Sequence, residues 1–161
     1  MAISNSTTRT KPRLLRDALA NFATGVTVVT YDHEGAPAGI TVSSFTSVSL
    51  DPALVLVNLQ KDSKAATNMD GKHFTINVLA NDQLPLAMQF AGGGEEDVVV
   101  ESDRSGTAPR FADAHAYYTC RPWATYDGGD HLIVVGEIID YHSDDKSDPL
   151  VFHQSRFKEI C

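Results

Sequence analysis

Between Ala38 and Asp51 the chain runs AGITVSSFTSVSLD, with hydroxyls at Thr41, Ser43, Ser44, Thr46, Ser47 and Ser49. No charged side chain lies between Ala38 and Leu50. Small hydroxyls both donate and accept, and they let a flat heteroaromatic ligand approach the backbone closely. An ordinary Thr-rich strand has the same composition, because Thr suits a pleated surface. A second group is Ser63-Lys64 after Asp62, where a short helix begins. Free N–H groups, a positive dipole end and an ammonium there suit an anion, although a plain capped surface helix has the same pattern. Arg156 adds a cation near the C-terminus. Asp130-His131 follows Gly128-Gly129 and sets an imidazole at a hairpin mouth, where a second substrate could enter; a strand-start residue has the same signature.

Other chemistries lack their residues. There is no Gly-x-Gly-x-x-Gly, no Gly-x-Ser-x-Gly and no His-Glu-x-x-His. His131, His142 and His153 recur every eleven residues, which matches no compact ligand set, so no metal is expected. Gly92-Gly93-Gly94 is followed by Glu95, Glu96 and Asp97 rather than Gly-Lys-Ser/Thr, and that acidic run repels phosphate.

The elements that must position these groups follow from periodicity and turn residues. Leu14, Leu15, Ala18, Leu19 and Phe22 form a helical stripe, with Thr10 as N-cap, Pro12 in the first turn and Gly25 beyond the end. Val26 to Tyr31 predicts a strand, and Asp32-His33-Glu34-Gly35 turns it into the hydroxyl stretch, one extended strand with a slip near Ser43-Ser44. Ala53 to Leu59 is apolar on both faces, as a central strand would be. A short helix capped by Asp62 or Ser63 and ended by Gly71, a strand from His73 to Leu79 and a helix capped by Asn81-Asp82 come next. His115 to Tyr126 and His131 to Tyr141 predict two long paired strands, and Pro122 marks its own strand as edge or bulged. Leu150 to Phe157 closes the chain.

The 161 residues are 42% hydrophobic with a formal net charge of −8. That suits one domain, 13–161, behind a disordered polar arm, 1–12. No Lys/Arg cluster offsets the acidity, so nucleic acid and an anionic membrane surface are not expected partners. No apolar run is long enough to span a bilayer, and the first residues have no secretory apolar core. Cys120 and Cys161 make neither a disulfide framework nor a zinc site, which points to a reducing, cytoplasmic setting. Strand count and turn spacing predict a mainly β fold, a closed barrel of about six antiparallel strands with peripheral helices.

Several ordered motifs carry a resemblance. NFATGVTVVT (21–30), GITVSSFTSVS (39–49) and Asp51-Pro52 resemble the short-chain flavin reductases, as does the closing Phe152-His153-Gln154-Ser155-Arg156-Phe157. The likeness runs from about Leu14 to Phe157. It implies an FMN-binding split β-barrel of Greek-key strands, built as a homodimer with flavin in the interface groove. It implies NAD(P)H-dependent reduction of FMN or FAD, with NADH or NADPH as reductant, and delivery of reduced flavin to a partner monooxygenase. By the same likeness Thr41, Val42, Ser43, Ser44, Ser47, Ser63, Lys64, Phe90 and Arg156 would bind flavin. Asp130, His131 and Phe157 would meet the nicotinamide nucleotide, with His131 the catalytic residue. The chain departs from the family where Gly92-Gly93-Gly94 replaces the usual Asp-Arg-Phe, and where Ser155 replaces Gly. Two other functions fit the same barrel: a carrier or oxidase that keeps its flavin tightly, and a non-enzymatic binding module.

Overall fold

The computed structural model describes residues 11–92, 102–103 and 106–160. Helix α1 (Lys11–Leu19) places Pro12 in its first turn, where no intrahelical N–H bond is lost. Thr10, its expected N-cap, lies outside the described residues. Strands β1 (Thr24–Gly25) and β2 (Thr27–His33) follow. Glu34 and Gly35 take φ values of 52° and 81°, as a type I′ turn requires, and send the chain into β3 (Ala36–Val42).

The hydroxyl stretch is two strands rather than one. β3 ends at Val42 and β4 (Thr46–Leu50) starts three residues later. After the cis Asp51–Pro52 peptide come β5 (Ala53–Gln60), α2 (Lys64–Asn68), β6 (Phe74–Val78) and α3 (Leu84–Phe90). The short β7 (Ser102–Asp103) and β8 (Arg110–Phe111) precede the long β9 (Ala116–Gly128) and β10 (His131–Ser143). β11 (Val151–His153) and β12 (Arg156–Lys158) close the chain. The expected loop 92–110 falls largely outside the described residues; within it, Ser102 and Asp103 pair with Phe111 and Arg110.

Seven strands form one antiparallel sheet in the order β3-β2-β6-β9-β10-β5-β4. The count exceeds the expected six because the slip at Ser43-Ser44 is a full change of partner: β3 pairs with β2, and β4 with β5. Val42 and Thr46 are thus on opposite edges, joined by at most about 14 Å of extended chain. Seven flat strands would be roughly 29 Å wide at their usual spacing. The sheet must therefore curl until its edges approach, and β3 meets β5 across the gap.

Inside the curl, Val55, Val57 and Leu59 alternate inward from β5 and meet Val29, Phe74, Ile76 and Cys120. Gly136 has no side chain because a Cβ there would lie 2.6 Å from Phe74 and 2.7 Å from Cys120. Burial pushes the Cys120 thiol up to about 12. A second core of Val26, Val28, Leu79, Ala87, Phe111 and Leu150 lies beneath α3. Asn81-Asp82 does not cap that helix. Gln83 stands at its start, and Gln83 Oε1 accepts the Ala80 N–H at 2.8 Å instead.

The β9–β10 hairpin turns through Gly129-Asp130, with φ of 79° at Gly129 rather than at Gly128, as a type II′ loop demands. Pro122 sits at a register shift opposite Gly136, beyond the last residue of β9 that β6 covers. The missing N–H at Pro122 therefore breaks no pairing with β6.

Candidate functional site

Two concavities adjoin along the outer face of β5. Since Val55, Val57 and Leu59 point inward, Asn58 and Gln60 point out, about 7 Å apart along the strand. Gln60 lines a concavity of about 630 Å³ with Tyr31, Gly39, Thr41, Lys64 and Phe90. Asn58 lines one of about 310 Å³ with Ser44, Gly128, His131 and Ile133. A third, of about 560 Å³, holds Ser43 beside Thr24, Phe45 and Tyr118. Of the expected site residues, Thr41, Lys64 and Phe90, Ser44 and His131, and Ser43 are thus spread over three hollows rather than one strand face.

The first hollow gathers Thr41, Lys64 and Phe90. Ser63 caps α2: its Oγ accepts the Ala66 N–H at 3.2 Å and donates to Gln60 O at 2.8 Å. Lys64 follows the cap directly and points its chemistry at the hollow it lines. Phe90 lies against Gly39, where a Cβ would stand 2.9 Å from its ring, and packs 5.7 Å from Phe111. Thr41 Oγ1 donates to Ala87 O at 2.7 Å and so ties α3 to β3. Burial raises the Tyr31 phenol, partly offset by a hydrogen bond with Asn68.

The second hollow is built around Ser44 and His131. Ser44 Oγ accepts the Asn58 N–H at 2.9 Å and donates to Asn58 O at 3.1 Å, completing the edge of β5 where the backbone of β4 has not yet begun. His131 Nδ1 and Asp130 Oδ1 are 2.7 Å apart, with His131 36% exposed. The hydrogen bond and charge of His131 hold the Asp130 carboxyl below the usual carboxylate range. Asp127 turns away from the imidazole and pairs with Lys61, which lowers its carboxyl too. The hairpin mouth is thereby tied to the β5–α2 turn, where Lys61 N also bonds Asp130 O at 3.0 Å.

Other expected residues sit elsewhere. The Val42 side chain packs on the first core, and its carbonyl accepts Thr27 Oγ1 at 2.9 Å. Ser47 is exposed on the edge strand β4. Arg156 and Phe157 belong to a separate three-stranded sheet of β1, β11 and β12. There Arg156 is exposed, while Phe157 packs 5.1 Å from Phe152 against the second core. Neither lines the hollow of Lys64 or that of His131. Among the described residues no His, Cys, Asp and Glu group could hold a metal, and no helix is long and apolar enough to cross a membrane.

Residues 19–160 match the flavin reductase like domain family. The chain belongs to that family. Among curated relatives, the reductase component of a 4-nitrophenol 4-monooxygenase/4-nitrocatechol 2-monooxygenase from Rhodococcus opacus is 41% identical over 146 residues, 88% of this chain and 77% of the relative. An FMN reductase (NADH) from Agrobacterium fabrum is 41% identical over 148 residues, 90% of this chain and 84% of its own length. Some relatives are longer: the chain spans 44% of the reductase component of a flavin-dependent trigonelline monooxygenase from Acinetobacter baylyi, at 39% identity. Among solved structures, the flavin reductase PheA2 superposes with a TM-score of 0.90 at 37% identity, covering 94% of this chain and 99% of that one.

Against that flavin reductase frame, Tyr31, Asn58, Gln60 and Asn68 are lining residues that the periodicity of the sequence did not single out. Asn58 and Gln60 lie in a run that looks continuous and apolar. Their signal was the polar break itself: two amides spaced by two, on the face opposite Val57 and Leu59.

Proposed function

We propose that this chain is an NADH-dependent flavin reductase that supplies reduced FMN or FAD to a separate monooxygenase. The observation that carries this is the pair of adjoining hollows on β5 in a member of the flavin reductase family. One has a lysine at a capped helix start, and the other an imidazole held by a carboxylate. Bound flavin would supply the ring that accepts hydride from the nicotinamide. The residues fit that group: Lys64 offers a cation for a phosphate, Phe90 and Gly39 leave a flat wall, and Ser44 and Asn58 border a ring-sized recess.

Each side chain then has a physical task. Lys64 fixes the anionic end of flavin by a charge-assisted contact. Asp130 accepts a hydrogen bond from Nδ1–H of His131 and leaves Nε2 for the second hollow, so the imidazole orients the nicotinamide carboxamide rather than carrying out acid–base chemistry. No protein nucleophile is needed. NADPH is a second candidate reductant.

The closed split-barrel form and a homodimer belong to the same proposal. Leu50 is 96% exposed and Phe22 81% exposed, and Val48, Trp123, Ile139 and Tyr141 add apolar surface that a partner protomer would cover. Arg156, Phe157 and Ser47, remote from the hollows of their own protomer, would then serve those of the partner. Light scattering at micromolar concentration is expected to give twice the chain mass; a fully active monomer would contradict the dimer.

The function is tested by NADH oxidation with and without added flavin. Turnover that requires free FMN or FAD is expected. Flavin that copurifies and stays bound through turnover would indicate a carrier or oxidase instead, and a colourless, inactive protein a binding module.

A further inference from the structure

Among the described residues, two buried side-chain polar atoms have no hydrogen-bond partner: Thr24 Oγ1 and Asn58 Oδ1. Buried polar atoms are nearly always paired, because an orphaned acceptor costs roughly 1–3 kcal/mol. A hydroxyl adapts by turning its proton, whereas an amide oxygen can only accept. Asn58 is therefore the more informative of the two. Its backbone N–H and C=O are both satisfied by Ser44 Oγ, at 2.9 and 3.1 Å. Only the side-chain amide is left over, and it lies at the wall of the hollow shared with Gly128 and His131.

We infer that Asn58 orients a ring in this hollow by pairing its side-chain amide with a ligand edge that carries a carbonyl beside an N–H. An amide is complementary to such an edge through two hydrogen bonds, donor to acceptor and acceptor to donor. The terminal torsion of Asn is soft, so rotating the amide brings Oδ1 outward without moving the strand. This inference rests on the reductase reading, under which two ligands bear that edge: the pyrimidine side of flavin and the carboxamide of nicotinamide. The Ser44 clamp makes the residue suitable for the task, since it holds the Asn58 backbone rigid and leaves the amide as the one adjustable group.

The test pairs Asn58→Leu with ligands that lack the N–H. Flavin affinity is measured by fluorescence quenching for FMN and 3-methyl-FMN, and Michaelis constants are measured for NADH and its 3-acetylpyridine analogue. The wild type is expected to prefer the N–H-bearing member of one pair by about tenfold, and the variant to lose that preference. Loss in the flavin pair assigns the pyrimidine edge; loss in the nucleotide pair assigns the carboxamide. The unliganded variant is expected to melt at the same temperature or higher, because it removes an unpaired acceptor. Unchanged ratios in both pairs overturn the inference, and a lower melting temperature with unchanged ratios makes Asn58 a structural residue. A wild type that neither binds flavin nor oxidises NADH defeats the reductase reading itself, which is a different result.

Discussion

The two hollows both border β5 but are built in opposite ways. Around Lys64 the small polar groups face inward: Ser63 bonds Ala66 and Gln60, and Thr41 bonds Ala87. What remains for a ligand is a cation and an aromatic wall. Around His131 the Asn58 backbone is met by Ser44, so an amide and a carboxylate-held imidazole remain. The difference shows that a hydroxyl in sequence is first a candidate to satisfy a broken strand edge or a helix end. The groups left for a ligand are those that no backbone atom claims.

The largest expected effect separates the hollows by substrate. His131→Ala should slow flavin reduction by about a hundredfold and raise the NADH Michaelis constant, with flavin affinity nearly unchanged. Stopped-flow reduction beside a flavin titration checks both, and equal losses in each would erase the division of labour. Lys64→Ala should act on the other side, weakening FMN about ten- to a hundredfold more than riboflavin, which lacks the phosphate. Parallel losses for the two ligands would mean that α2 is only structural.

Two smaller effects concern the clamps. Ser44→Ala removes both bonds to the Asn58 backbone and should cost about 1–2 kcal/mol, lowering the melting temperature by several degrees. The NADH Michaelis constant should rise with it, because the Asn58 and His131 wall loosens. Thr41→Val should cost about 1 kcal/mol and alter flavin affinity alone. If Thr41→Val shifts the NADH constant as strongly as Ser44→Ala, the hollows are one coupled site.

The smallest effect is electrostatic. Lys61 depresses the Asp127 carboxyl, so this pair contributes stability at neutral pH that is lost as pH falls through the lowered value. The carboxylate is solvent-exposed, so the contribution is screened and should fade in high salt. Melting curves across pH should show a shallower acid limb for Asp127→Asn than for wild type. Identical limbs would mean that the tie between hairpin and β5–α2 turn adds nothing to stability.

Much of the fold was legible before any coordinate. Alternating apolar residues and turn chemistry located the paired strands, the Glu34-Gly35 turn and the bulge at Pro122, because those signals are local. The cap at Ser63 and the imidazole at the β9–β10 mouth were legible for the same reason. Less legible was the split of the hydroxyl stretch. Ser43 and Ser44 keep an extended pattern, and nothing local says that β3 and β4 pair with different strands.

The sequence by itself carried the resemblance to the family, predicted the β-rich architecture and singled out Lys64 and His131 as candidates. Only the tertiary structure decided which polar groups are free. Ser44 and Thr41 are committed to Asn58 and Ala87, whereas Asn58, hidden in an apolar run, has an amide with an unmatched acceptor. The physical reason is that hydrogen-bond satisfaction is non-local. A side chain is available to a ligand only once every backbone group within its reach has found another partner, and Asn58 and Ala87 lie 14 and 46 residues from Ser44 and Thr41.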